Sequence, residues 1–236
     1  MKFLVFQHYT LEHLGIFRDF MDADGIERHT VEFDRGDIIP SLDGFDALWV
    51  LGGAPNVWEE EKYPYLIAEK AAVREAAAER KLPTFGICLG HQILAEVLGG
   101  EVGRMARPEV GILDVSLTDD GATDPMMAGV DPLSTWLQWH EAEVKVPPRD
   151  VRILATSPTC SIQAMRVGEH VLSVQFHPEP TEATVPGWAA EPSYLRSLEE
   201  ALGPGAHPEM EQRMADNLDH AHANARQLYE NFKTLL

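Results

Sequence analysis

The sequence predicts an α/β fold: an open, mostly parallel, twisted sheet with helices on both faces, extra antiparallel strands and a helical C-terminal extension. Two observations lead to this fold class. In the first hundred residues, short apolar runs alternate with segments of helical periodicity, which is the pattern of β-α-β crossovers. From about residue 101 to residue 176, short strand-like segments follow one another with little helix between them, which favours antiparallel strands added to the same sheet.

The first three elements form one such alternation. The apolar run Phe3–Gln7 has the length of one buried strand. Apolar residues from Leu11 to Phe20 then recur mostly at helical spacing, and Thr10 is the expected N-cap of this helix. A second strand is expected over Glu27–Phe33. The polar turn residues that follow Phe33 end this strand.

The next elements repeat the alternation. The strand Asp46–Leu51 stops at Gly52-Gly53-Ala54-Pro55, since glycine and proline favour turns. The segment Tyr65–Lys81 is rich in strong helix formers and is expected to be a helix. A fourth strand, Pro83–Ile87, leads to a helix over Gln92–Leu98 that two glycines close.

The remaining chain divides into a strand-rich and a helical part. The strand-like segments are Gly111–Leu117, Thr135–Trp139, Val151–Ala155, Ile162–Val167 and Val171–Phe176. The stretch Pro208–Leu236 carries apolar residues three and four positions apart, which indicates a long amphipathic helix. We therefore predict a domain over residues 1–200 and a helical C-terminal extension over residues 201–236 packed on it.

The charge of the chain excludes several classes of partner. The sequence contains 38 acidic and 19 basic residues, a net charge of −19. Binding to nucleic acid needs clustered basic residues, and an anionic membrane surface attracts them, so we expect neither partner. No uncharged run approaches the roughly 18 residues of a membrane span. The start of the chain does not have the pattern of a signal peptide, and two cysteines are too few for a disulfide framework, so a cytoplasmic location is expected.

The strongest chemical signal is the segment Gly86–Gln92, where a predicted strand runs into a Gly-x-Cys-x-Gly turn and then a helix. This is the cysteine form of a nucleophile elbow. A sharp turn with strained backbone angles needs small neighbours, which Gly86 and Gly90 supply. The amide groups and dipole of the following helix favour an anion, so Cys88 is the expected thiolate nucleophile.

A base and its orienting group are expected after the last predicted strand. His177 and Glu179 stand two residues apart on either side of a proline. In extended backbone this spacing places both side chains on the same side. The carboxylate can then bind one imidazole nitrogen and leave the other for the thiol, which is the logic of a catalytic triad.

Two backbone amides are expected to hold the negative charge that develops on the substrate oxygen. Gly52 and Gly53 end the third strand, and the carboxyl ends of neighbouring parallel strands lie side by side. An N–H group from this loop and that of Leu89, directly after the nucleophile, would form a two-donor oxyanion hole.

Three segments together resemble the class I glutamine amidotransferase family, the type with a Cys-His-Glu triad. They are Leu51–Gly53, Gly86–Gln92 and Gln175–Glu179, and the resemblance covers about residues 45 to 180. The chain is most similar to stand-alone members that resemble the glutaminase domain of GMP synthase. The resemblance implies a flavodoxin-like sheet, and the long helical C-terminus is not part of the common family core.

The resemblance also implies a role for each matching residue of the reaction. Cys88 would attack the side-chain carboxamide carbon of glutamine, and His177 would pass a proton to the departing ammonia. His177 would then activate water against the γ-glutamyl thioester, while Glu179 orients its ring. The N–H groups of Gly53 and Leu89 would form the oxyanion hole.

The substrate contacts implied by the resemblance are Gly52, Gln92, Trp139 and His140. Gln92 would help to position the substrate, and Trp139-His140 lies where the family places a loop that holds the α-amino and carboxylate groups. Ala54 departs from the pattern, since many members have proline directly after the two glycines. This difference affects the expected shape of the loop and not its two amide donors.

Two enzymatic functions and one non-catalytic function remain open on the sequence. The chain could release ammonia from glutamine for a synthetase. Because this chain carries no ATP-binding motif, the synthetase would be a separate subunit. The same triad could instead hydrolyse a γ-glutamyl peptide or amide. A non-catalytic regulatory subunit of the same fold is the third possibility.

Neither a cofactor nor a metal is expected. Asp216 and His220 could share one helix face, but they lack a third ligand nearby. The sequence makes no prediction of the oligomeric state.

Overall fold

A computed structural model describes residues 1–236 of the chain. It contains one nine-stranded sheet in the order β2-β1-β3-β4-β9-β8-β7-β5-β6. The strands are β1 (Lys2–Gln7), β2 (Glu27–Glu32), β3 (Ala47–Val50), β4 (Thr84–Ile87), β5 (Glu101–Leu117), β6 (Leu133–Val146), β7 (Val151–Thr156), β8 (Ala164–Val167) and β9 (Val171–Val174).

Seven α-helices surround this sheet, and none of them combines the length and apolar character needed to cross a membrane. They are α1 (Phe17–Ala23), α2 (Tyr65–Arg74), α3 (Leu89–Val97), α4 (Asp119–Thr123), α5 (Thr184–Ala189), α6 (Pro192–Leu202) and α7 (His207–Lys233). A π-helical segment, Glu75–Arg80, continues α2, and 3₁₀ turns lie at Phe33–Arg35 and Pro125–Met127.

The predicted fold class is confirmed. Strands β2, β1, β3, β4 and β9 pair in parallel, while β8, β7, β5 and β6 extend the sheet by antiparallel pairing. The sheet is open, and alternate residues of its strands face two hydrophobic clusters. In β1, Phe3 and Val5 join the cluster that contains α1 and α7, whereas Leu4 and Phe6 join the cluster that contains α2 and α3.

The first helix is shorter than predicted, and the prediction of Thr10 as its N-cap is wrong. The helix begins at Phe17, and Thr10 instead donates from its amide and hydroxyl to the carboxylate of Asp34. Gly15 has a positive φ of 51°, and the amide of Ile16 donates to the Glu179 carbonyl oxygen at 3.0 Å. These tertiary contacts hold residues 8–16 as a loop over the carboxyl edge of the sheet, in spite of their apolar spacing.

Three further predicted boundaries are also wrong. Strands β5 and β6 extend well beyond the predicted Gly111–Leu117 and Thr135–Trp139, because they pair with each other as long antiparallel partners. Helix α3 begins at Leu89, directly after the predicted nucleophile, and not at Gln92.

The predicted C-terminal helix is present as α7, and its buried residues belong to the central hydrophobic core. Phe232 is fully buried, and its ring lies 5.5 Å from Trp49, 5.7 Å from Phe85 and 6.4 Å from Phe3. The helix therefore covers one face of the parallel strands β1, β3 and β4. The division of the chain between residues 200 and 201 stays a prediction.

Candidate active site

Cys88 lies on a strained turn between β4 and α3. Its φ of 51° and ψ of −103° are angles that a residue with a side chain rarely adopts. A Cβ atom on Gly90 would collide with the carbonyl oxygen of Val50, and one on Gly86 would lie 2.5 Å from a methyl group of Leu94. Both glycines are therefore required by close packing under the turn, as the elbow motif predicts.

His177 and Glu179 lie next to this turn, where the chain leaves β9. The backbone amide of His177 donates to the Leu137 carbonyl oxygen at 2.9 Å, which ties this segment to β6. The imidazole Nδ1 lies 2.6 Å from Oε1 of Glu179, and both side chains are almost completely buried.

Electrostatics favours a protonated imidazole at this position. Burial by itself disfavours the cation, but the carboxylate of Glu179 and the thiol of Cys88 outweigh it and raise the pKa of His177 well above its usual value. The two side chains are neighbours, since a Cβ atom on Gly52 would lie 2.9 Å from Cε1 of His177 and 3.6 Å from Cβ of Cys88. The arrangement can therefore hold a thiolate and an imidazolium as a pair.

The loop after β3 approaches the same turn. A Cβ atom on Gly52 would lie 2.9 Å from Cε1 of His177, and one on Gly53 would lie 2.8 Å from Cδ2 of Leu89, so only glycine fits. The N–H of Gly53 has no acceptor within the protein. Leu89 is the first residue of α3, so its N–H has no acceptor in the helix either. Both amides are free to bind a substrate oxygen.

A buried ion pair supports this loop from below. Nδ1 of His8 lies 2.7 Å from the carbonyl oxygen of Gly52, and Nε2 lies 2.7 Å from Oε1 of Glu69. Both side chains are completely buried. Burial disfavours a charged imidazole, but Glu69 outweighs that effect and raises the pKa of His8. Because a carbonyl and a carboxylate both accept, both ring nitrogens donate here.

The residues expected to contact the substrate line one wall of the site. Nε2 of Gln92 donates to the carbonyl oxygen of Ala142 and to Oε1 of Gln175, at 3.2 Å each. His140 is buried, and its Nε2 lies 3.0 Å from Glu109. Trp139 is half-buried and lines the cavity.

These elements enclose a cavity of about 830 Å³. Seven of the nine predicted site residues line it: Cys88, Leu89, Gly53, Gln92, Trp139, His140 and His177. The other two, Gly52 and Glu179, lie directly behind the lining residues that they support. The lining contains five carboxylates against a single arginine: Glu12, Glu109, Asp114, Glu141, Glu200 and Arg107.

Three side chains of this site are not among the predicted site residues. Glu12 belongs to the loop that was expected to be helical, and it accepts a hydrogen bond from the hydroxyl of Tyr194. The rings of Trp188 and His177 pack nearly perpendicular to each other, with centroids 5.0 Å apart. Trp188 and Tyr194 come from α5 and α6, and their sequence carries no motif that points to the site.

Glu69 is a fourth missed residue, and here the sequence did hold a signal. It stands between Leu66 and Val73 on the apolar face of α2, where a carboxylate needs a buried partner. No group of three metal-ligating side chains occurs in the structure, and His220 pairs with Asp131 and not with Asp216.

Comparison with known proteins agrees with this geometry. A family model described as glutamine amidotransferase class-I matches residues 18–185. One subunit of the glutamine-hydrolyzing GMP synthase of Sulfolobus acidocaldarius is 34% identical over 156 residues, which cover 66% of this chain and 77% of that protein. Gamma-glutamyl peptidase 2 of Arabidopsis thaliana is 31% identical over 175 residues, covering 70% of this chain and 68% of that protein.

Relatives also include longer proteins and a solved structure. The match to GMP synthase of Aeropyrum pernix covers 72% of this chain but 29% of that protein. A crystal structure of a glutamine amidotransferase from Thermotoga maritima superimposes with a TM-score of 0.88 at 25% identity, covering 98% of this chain and 97% of that one. The family model spans most of the chain and includes the elbow, the glycine loop and the His-Pro-Glu segment, so the chain belongs to the class I glutamine amidotransferase family.

Proposed function

We propose that the chain hydrolyses the side-chain amide of glutamine through a γ-glutamyl thioester on Cys88, without a cofactor. The observation that carries the proposal is the position of a buried imidazole, which a carboxylate orients, beside a cysteine on a strained turn. This arrangement supplies a nucleophile, a proton carrier and an orienting group in one row. The roles that follow apply this chemistry to the residues of the cavity.

In the first step, the thiolate of Cys88 attacks the carbonyl carbon of the side-chain amide and forms the carbon–sulfur bond. The carbonyl oxygen becomes an oxyanion, and the N–H groups of Gly53 and Leu89 stabilise it. Because Cys88 stands at the N-terminus of α3, the helix dipole favours the negative charge before and during the attack.

In the second step, the carbon–nitrogen bond breaks and the imidazolium of His177 gives its proton to the departing nitrogen. Neutral His177 then takes a proton from water, whose oxygen attacks the thioester carbon. Glutamate leaves, and Cys88 regains the thiolate form. Glu179 holds Nδ1 throughout, so that Nε2 stays directed at the reacting atoms.

The glutamyl portion of the substrate is proposed to bind on the β6 side of the cavity. Gln92, Trp139 and His140 line this side, and they offer amide, indole and imidazole groups within one wall. These groups suit the α-amino and α-carboxylate groups that every γ-glutamyl compound carries.

The ammonia is proposed to pass to a separate synthetase chain in the cytoplasm. Several relatives are named as one subunit of a GMP synthase, so we expect this chain to work with a partner that uses the ammonia. This partner is expected to approach the carboxyl edge of the sheet, where the cavity opens.

A γ-glutamyl peptide or amide is the second candidate substrate, and the size of the cavity favours it. A cavity of about 830 Å³ falls in the ~300–1,000 Å³ range of sites for drug-sized ligands, so there is room for a leaving group larger than ammonia. The similarity to gamma-glutamyl peptidase 2 supports the same candidate.

A panel of glutamine and γ-glutamyl dipeptides, followed by glutamate release, tests both candidates. Wild-type protein should release glutamate from at least one of them, while Cys88→Ala should release none. Faster turnover of glutamine supports the amidotransferase, and faster turnover of dipeptides supports the peptide hydrolase. If wild type and Cys88→Ala are equally inert, with and without a synthetase partner, a non-catalytic regulatory role replaces both.

A further inference from the structure

Glu12 has an unusual position for a carboxylate outside the triad. It is only 5% exposed, yet it lines the active-site cavity. A Cβ atom built on Gly52 would lie 2.6 Å from Oε2 of Glu12. That hypothetical atom would also lie 2.9 Å from Cε1 of His177 and 3.6 Å from Cβ of Cys88. The carboxylate therefore stands immediately beside the reacting groups.

Only one of its two oxygens has a partner in the protein. The hydroxyl of Tyr194 donates to Oε1, whereas Oε2 accepts no hydrogen bond from any protein group. This oxygen is not sealed from solvent, so water or a donor of a bound substrate can complete its hydrogen bonding. The unused oxygen faces the cavity, so the partner is expected to come from the substrate.

The position of Glu12 in the sheet identifies which part of the substrate it meets. Glu12 follows β1, which with β3 lies on one side of the central strand β4. Trp139 and His140 belong to β6, which reaches the site from the other side of β4 through the bridge between Leu137 and His177. If the glutamyl portion occupies the β6 side, as proposed above, the leaving group occupies the side of Glu12.

We propose that Oε2 of Glu12 accepts a hydrogen bond from the N–H of the scissile amide, and that Tyr194 positions the carboxylate for this contact. The inference rests on the proposed hydrolysis of γ-glutamyl amides. As the thiolate attacks and the carbon–nitrogen bond lengthens, the nitrogen lone pair must turn toward His177 to receive its proton. A hydrogen bond from the remaining N–H to Glu12 holds the nitrogen in that orientation.

This role defines a substrate class. Primary and secondary γ-amides have the required N–H, whereas tertiary γ-amides and γ-esters do not. Both groups that would make this selection, Glu12 and Tyr194, lie outside the segment that matches the family model, residues 18–185. The selection would therefore depend on the N-terminal loop and the C-terminal helices of the chain.

A matched pair of substrates tests the contact: γ-glutamyl ethylamide and γ-glutamyl ethyl ester, which differ only in N–H against oxygen. The variant Glu12→Gln keeps the shape of the side chain. Tyr194 still donates to Oε1, so the amide NH₂ faces the cavity and a donor replaces the acceptor. We expect kcat/KM for the amide to fall by about tenfold or more, and kcat/KM for the ester to change by less than about twofold.

A second variant and a control complete the design. Tyr194→Phe should cause a smaller loss that is again confined to the amide, because it releases Glu12 without removing it. Glu191→Gln, which alters a neighbouring carboxylate that accepts from Tyr9, should leave the amide-to-ester ratio unchanged.

The outcomes separate this inference from the function on which it rests. If wild type hydrolyses neither substrate nor glutamine, the proposed function itself fails. If wild type is active and Glu12→Gln lowers amide and ester by the same factor, or lowers neither, the leaving-group role of Glu12 is overturned while the proposed function stands.

Discussion

Replacing His8 by Phe should lower the free energy of unfolding by about 3–5 kcal/mol, because it leaves a buried carboxylate without its counter-charge. The partner carboxylate, Glu69, is fully buried, and its other oxygen, Oε2, already lacks a hydrogen bond. The change also removes the donor to the carbonyl oxygen of Gly52. The perturbation thus affects both the stability of the fold and the position of the proposed oxyanion loop.

The variant Glu69→Gln should be much milder, with a loss of about 0.5–1.5 kcal/mol. His8 can then become neutral, keep its Nδ1–H bond to Gly52, and accept at Nε2 from the new amide. Replacing both partners together, His8→Phe with Glu69→Leu, removes both charges at once. Its cost should be far below that of His8→Phe alone, since an apolar pair of similar volume replaces a buried ion pair at little cost.

The contribution of this pair should also depend on pH in one direction. Glu69 raises the pKa of His8 in the folded protein above its ordinary value of 6.5. The folded state then holds a proton that the unfolded state loses, so the stabilisation is complete below about pH 6.5 and is lost as the pH rises through the folded pKa. Relative to the double variant, which lacks both titrating groups, the wild type should become less stable as the pH rises above about 6.5.

Urea unfolding followed by tryptophan fluorescence measures each of these free energies, since three of the five tryptophans are fully buried. Initial rates of glutamate release report the effect on the loop, and His8→Phe should lower kcat more than Glu69→Gln does. The reasoning is refuted if His8→Phe costs less than about 1 kcal/mol, or if the double variant costs the sum of the two single changes.

Three further predictions concern the triad, the core and the second cysteine. Glu179→Gln should lower kcat by about tenfold or more. It should also move the alkaline limit of the pH profile of kcat/KM to lower pH, because the carboxylate raises the pKa of His177 and the imidazolium is then lost at lower pH. An alkaline limit that does not move would contradict this prediction. Phe232→Ala should cost about 3–5 kcal/mol in urea unfolding, since the ring is fully buried between β-strand aromatics; a cost below about 1 kcal/mol would show that the end of α7 is dispensable. Iodoacetamide at about pH 8 should label Cys88 far faster than Cys160, because burial raises the pKa of Cys160 to about 12; peptide mass mapping that found equal labelling would count against an activated Cys88.

Features of this protein that follow short-range rules could be predicted from the amino-acid sequence. The apolar runs specified the parallel strands β1, β3 and β4, because a strand buried on both faces needs nearly every side chain to be apolar. Gly86 and Gly90 indicated a sharp turn at Cys88, because the elbow motif has small residues at these two positions, although the contact that requires Gly90 is with the distant Val50. His177 and Glu179 could be paired on spacing alone, because extended backbone places alternate side chains together.

The other groups that complete the site became known from the packing of distant elements. Glu12 and Tyr194 are separated by 182 positions along the chain, and no local pattern relates them. The loop that carries Glu12 has helical spacing, yet it is not helical, because Gly15 and the contact of Ile16 with Glu179 hold it across the sheet edge. Local sequence determines backbone geometry over a few residues, whereas the partner of a buried charge is set by how remote parts of the chain pack together.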